Sequence, residues 1–89
     1  MAERHESVFP GFRELSVRRH ALSDELAARR RTLGLSQTQV AARMGTSQSA
    51  VARIETGSAD VLLSTVDRYA SALGQRLVWN LADGLEGDR

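Results

Sequence analysis

The sequence predicts an all-α fold: a compact helical bundle that ends in one short β-strand. Three observations predict it. Apolar residues recur at helical spacing over residues 12–33, 36–57 and 63–73, and Gly34, Gly45, Gly57 and Gly74 stand where those runs stop. The single proline, Pro10, precedes all of them. At residues 76–82 the period shortens to two, with Leu77, Trp79 and Leu81 alternating with Val78, Asn80 and Ala82.

Residues 1–11 are polar apart from Val8 and Phe9, and Pro10-Gly11 is a turn signal. This stretch reads as a flexible arm unless Phe9 and Phe12 dock on the core or on a partner. Residues 12–33 contain neither Gly nor Pro, and Leu15, Leu22, Leu26 and Leu33 fall on or near one face. Ser23, followed by Asp24 and Glu25, has the chemistry of a helix start. The stretch is therefore either two helices meeting near Ser23 or one long, slightly bent helix. Serine is tolerated inside a helix and nothing forces a break, so one helix is the preferred reading. Arg29, Arg30 and Arg31 would occupy its last turn, where cations suit the dipole, and Gly34 would end it.

Residues 36–57 read as two short helices joined by a tight turn. Ser36 can cap the first, and Gln39, three residues on, completes a capping box. Val40, Ala41 and Met44 give that helix an apolar face, and Gly45 supplies the left-handed residue that stops it. Ser47 is the second cap, Val51 and Ile54 the second buried face, and Gly57 the close. Helices this short do not stand alone in water, so neighbouring segments must cover them. Gln48, Ser49, Ala52 and Arg53 are left facing outward, with Ala50 beside them, all small or hydrogen-bonding side chains. After a loop at residues 58–62, Leu63, Val66, Tyr69, Ala70 and Leu73 have the spacing of an amphipathic helix. The strand-like segment within 75–82 needs a partner strand, and the same segment of a second molecule would serve. Leu77, Val78, Trp79 and Leu81 are the candidates for that dimerisation. The competing reading makes Leu77 and Trp79 a cap on the core of one monomer. Residues 83–89, rich in Asp and Gly, read as a disordered tail.

Leu33-Gly34-Leu35-Ser36-Gln37, then Val40-Ala41, Met44-Gly45, Gln48-Ser49, Val51, Ile54-Glu55 and Gly57 resemble the Cro/repressor (XRE-like) helix-turn-helix family. The likeness covers about residues 22–74 without a gap, and residues 64–74 resemble the family's fourth helix. It implies a domain of the phage-repressor type over residues 12–74, with double-stranded DNA as the partner. The helix at 47–56 would enter the major groove with its N-terminal residues at base edges. Gln48 occupies the family's usual adenine-reading position, and glutamine can pair with adenine N6 and N7. Arg53 can fork onto guanine O6 and N7 or grip phosphate. Ser49 and Ala50 are short enough to allow close approach, and Ala50 suits a thymine methyl. The resemblance gives Gln37 a contact to the DNA backbone, with Arg43, Thr46 and Ser47 as further phosphate candidates. It also implies a structural ion pair between Arg30 and Glu55. Thr56, Ser58 and Asp60 depart from the Asn or basic residues many relatives carry there. An aspartate beside phosphates is repelled, which argues against tight binding by a monomer and for dimerisation or modest affinity.

Composition bounds the rest. Eighty-nine residues make one domain with a limited core. No Cys is present, so disulfides and thiolate metal sites are excluded, in keeping with the cytoplasm. No membrane span or signal peptide is expected. The net charge is only +1, but residues 1–35 hold seven Arg against five acids and residues 58–89 three against five. Every basic residue is Arg and none Lys, a bias that suits bidentate phosphate grip and that a GC-rich genome would also produce. His5 and His20 stand apart from any acid–nucleophile arrangement, and no Gly-rich phosphate loop or metal-ligand cluster occurs. No enzyme and no cofactor are expected. The leading function is a dimeric repressor reading a palindromic operator. One alternative is a HigA-like antitoxin that sequesters a toxin through residues 1–20 and represses its own operon. Another is a protein-interaction adaptor that leaves the DNA surface unused.

Overall fold

Among the described residues the chain forms four helices: α1 (Phe12–Thr32), α2 (Gln37–Met44), α3 (Gln48–Glu55) and α4 (Leu63–Ala72). They are seen in a computed structural model that describes residues 12–78, 80 and 81. The expected arm at 1–11 and tail at 83–89 lie outside the described residues, as do Trp79 and Ala82.

α1 is one unbroken helix of 21 residues with Arg29, Arg30 and Arg31 in its last turn. Ser23 sits in its interior and is buried, so it opens no second helix. At α2 the Ser36 hydroxyl accepts from the Gln39 amide at 3.0 Å, and the Gln39 side chain accepts from the Ser36 amide at 2.8 Å. The capping box thus forms as the sequence predicts. Gly45 ends α2 at φ 71°, ψ 37°, a left-handed conformation that a residue with a Cβ rarely adopts. Two residues later the Ser47 hydroxyl accepts from the Ala50 amide at 3.1 Å and starts α3. α4 follows Leu62, which supplies no side-chain cap. No described helix is long and apolar enough to cross a membrane.

Leu26, Val40, Ala41, Met44, Val51, Ile54, Tyr69, Ala70 and Leu73 form one core, and Leu22, Leu35, Val61, Val66 and Ala72 pack on its edge. Val40, Val51 and Tyr69 are fully buried. α4 packs on the apolar side of α2, α2 packs on α3, and α1 braces α3; α4 reaches α3 through the Tyr69 hydroxyl, which donates to Glu55.

Two expectations about faces need correction. Leu15 and Leu33, placed on the buried face of α1, are 61% and 47% exposed. Leu15 lies ahead of the part of α1 that reaches the core, and Leu33 follows the helix end. Leu63 is likewise exposed, because it sits at the first turn of α4, outside the cover of α2 and α3. Residues 75–78, 80 and 81 carry no regular secondary structure, so no strand forms among the described residues. The reason is the one that made a partner necessary: a lone extended segment has no ladder to join. Leu77 is half-buried and faces Leu22, Leu26 and Ala70 across a small hollow, while Val78 and Leu81 point into solvent.

Candidate nucleic-acid interface

The exposed side of α3 is set by what its other side must bury. Val51 and Ile54 face the core, which turns Gln48, Ser49 and Arg53 outward and leaves Ala50 and Ala52 half-buried at the edge. Gln48 is the first helical residue after the Ser47 cap, so its side chain stands at the positive end of the helix.

A chain of hydrogen bonds runs from the interior to that side chain. Arg30 donates from Nε to Glu55 Oε2 at 2.6 Å and from Nη2 to Oε1 at 3.1 Å, a forked contact. Arg30 Nη1 also donates to the Leu35 carbonyl at 2.9 Å, tying in the turn before α2. Gln37 Nε2 donates to Glu55 Oε1 at 2.9 Å, and Gln37 Oε1 accepts from Gln48 Nε2 at 2.5 Å. A carboxylate only accepts, so each amide downstream takes one orientation. Gln37 turns its NH2 inward and its oxygen toward Gln48, and Gln48 then donates inward.

Electrostatics keep the chain charged. Burial pushes the Glu55 carboxyl up, but donors from Arg30, Tyr69 and Gln37 outweigh it and hold the group below the usual carboxylate range. The Arg30 guanidinium is raised by its bond to Glu55 despite burial. The Tyr69 hydroxyl is raised by burial and by the adjoining Glu55 carboxylate, to which it donates. The Arg30 and Glu55 side chains are 11% and 7% exposed, so the pair expected from the resemblance is a buried one.

The other expected site residues take varied positions. Arg43 donates to the Ala72 carbonyl at 2.9 Å, joining α2 to the last turn of α4. Thr46 is half-buried in the turn, and its amide donates to the Ala41 carbonyl at 2.9 Å. The Ser47 and Ser49 hydroxyls lie 3.1 Å apart. Arg53 Nη2 donates to Asp60 Oδ2, and Ser58 Oγ donates to Asp60 Oδ1 at 2.6 Å. Asp60, expected to repel a phosphate, is therefore paired with the arginine expected to read a base.

Three supporting residues escaped the sequence reading. Arg19 Nε donates to the Gly57 carbonyl at 2.7 Å. His20 packs over Gly57, where a Cβ would come within 2.8 Å of His20 Cδ2, and Gly57 has φ +75°. Tyr69 was placed only by its apolar face, although a buried tyrosine hydroxyl calls for a partner. That requirement was the available signal for its bond to Glu55.

The helix-turn-helix family profile matches residues 26–80. Antitoxin HigA1 of Mycobacterium tuberculosis, from strain CDC 1551 / Oshkosh and from strain H37Rv, is 44% identical over 69 residues. The match takes in 78% of this chain and 46% of the relative, so the chain spans about half the length of those proteins. Two capped helices around a left-handed Gly45 and a profile match across more than half the sequence lead to one conclusion: the chain belongs to the helix-turn-helix family.

Proposed function

We propose that this chain is a sequence-specific DNA-binding transcriptional regulator, a cytoplasmic repressor that reads a palindromic operator as a dimer. The hydrogen-bonded chain from Arg30 through Glu55 and Gln37 to Gln48 is the observation that carries this reading. It spends three polar side chains on orienting a fourth at the exposed start of α3. The outer edge of Gln48 keeps its carbonyl oxygen and one N–H, which matches the donor–acceptor pair of adenine. Gln37, at the N-terminus of α2, lies beside Gln48 and within reach of the same backbone. Val78 and Leu81 offer exposed apolar area for a second copy, as part of the Leu77, Val78, Trp79 and Leu81 segment. A dimer would set half-sites roughly 34–36 Å apart.

Selection of bound duplexes from a random library tests the reading. Recovered sites should be palindromic, with half-sites about one helical turn apart. Gln48→Ala should then relax preference at particular base pairs, and Arg53→Ala at others. No enrichment at low salt would refute DNA recognition and leave the protein-interaction adaptor.

A second reading, an antitoxin, is favoured by the relatives' printed name and by α1. Leu15 and Val17 are 61% and 62% exposed on its first turns, and Leu15 lines a groove with Leu22, Ile54, Val61 and Val66. Co-expression with a candidate toxin, followed by size-exclusion chromatography, tests it. A stable complex lost in a Leu15→Asp, Val17→Asp variant would support a toxin partner held by α1.

A further inference from the structure

We propose that Asp60 keeps Arg53 out of sequence-independent DNA binding. This rests on the DNA-binding reading above and deepens it. Arg53 and Asp60 form an exposed ion pair, with side chains 56% and 68% accessible. Arg53 makes no other side-chain hydrogen bond among the described residues. The carboxylate is itself held, because Ser58 donates to its second oxygen at 2.6 Å. The Ser58 amide lies 3.4 Å from the Arg53 carbonyl, so the loop folds back against the end of α3. Burial plays no part in this arrangement, which is a set of surface hydrogen bonds.

Affinity for arbitrary duplex comes from net cationic charge brought to the phosphates, each neutralised phosphate releasing counterions. A closed Arg53–Asp60 pair brings none. Whichever phosphate oxygen the guanidinium approaches, the carboxylate comes to the same edge of the duplex, and attraction and repulsion offset. A base contact differs. Guanine presents two acceptors at fixed spacing, and a short-range fork onto them rewards the guanidinium alone. An exposed pair exchanges readily, so it opens for such a base. Asp60 thus subtracts Arg53 from the general electrostatic grip and leaves it available as a reader.

Fluorescence anisotropy of the full chain on a random-sequence duplex, across a range of salt, tests this. Asp60→Asn keeps the shape of the side chain and removes its charge. It should raise low-salt affinity several-fold and steepen the slope of log K against log salt by about 0.9, the increment for one phosphate. Arg53→Ala should make the slope shallower, by leaving Asp60 alone. The double variant removes a neutral pair and should return to the wild-type slope. Glu25→Gln makes the same charge change on the far side of α1, near Gln75 and Arg76, and should leave the slope unchanged. An unchanged slope in Asp60→Asn, or a double variant that fails to return, overturns the inference while the DNA reading stands. Wild-type protein that binds no duplex at low salt overturns the DNA reading, and this inference with it.

Discussion

Glu55 is the residue on which most of the polar architecture converges, accepting from Arg30, Gln37 and Tyr69 at once. Replacing it by alanine strands a buried guanidinium and a buried phenol. Thermal or urea unfolding should show a loss of about 3–5 kcal/mol, the usual cost of removing one partner of a buried pair. A change within error of zero would remove the assignment. The sign of the pH dependence follows from the same contacts. The folded-state carboxyl lies below its ordinary value of 4.5, so its contribution is complete above that value. Stability should fall as pH drops from about 4.5 through the lower folded-state value, because the unfolded chain binds the proton first. Glu55→Gln should flatten that acid limb in urea titrations at successive pH. On the proposed DNA-binding reading, Gln37→Ala should weaken every duplex and, by releasing Gln48, also reduce preference at one base pair. Anisotropy on a selected site and on its single-base variants separates these effects. The ion pair was legible from family likeness at Arg30 and Glu55. The bonds of Gln37 and Tyr69 to that carboxylate were not, because spacing shows which residues share a face and not which acceptor a side chain finds across 14 or 18 positions.

Helix ends were the most readable elements, since a cap is decided within four residues. Ser36 with Gln39, Gly45 and Ser47 all stand where their local chemistry requires. Burial along α1 was less readable. Leu15, Leu22, Leu26 and Leu33 share a helical spacing, yet packing against the other helices decides which of them is covered, and that choice is tertiary. The α1–α3 junction gives a sharp test at Gly57, where φ is +75° and a Cβ would come within 2.8 Å of the His20 ring. Gly57→Ala should destabilise by more than the about 1–2 kcal/mol of a left-handed alanine, owing to the added overlap. A His20→Ala, Gly57→Ala double variant should recover the overlap and keep the backbone strain. Strictly additive losses in denaturant unfolding would show that ring and glycine do not meet. The Arg53–Asp60 pair escaped the sequence for a related reason: seven positions and a loop separate them, and no helical period joins them.

At the scale of the molecule, the order and packing of helices 2–4 followed from periodicity and from the resemblance, while the C-terminal segment did not form its strand among the described residues. If a second copy supplies the missing ladder, sedimentation equilibrium should give a dimer that Leu77→Asp with Leu81→Asp shifts to monomer, with α-helical circular dichroism retained. A monomer at all concentrations would restrict Leu77 to covering Leu22, Leu26 and Ala70. One feature of α1 bears on how the domain is excised. The family match begins at residue 26, yet the hydrogen bond from Arg19 to the Gly57 carbonyl and the ring of His20 both come from earlier in the chain. A fragment trimmed to the matched region would keep every exposed side chain of α3 and lose the clasp on the far end of that helix. Boundaries drawn by similarity alone would here yield a looser instrument than the one the whole helix holds taut.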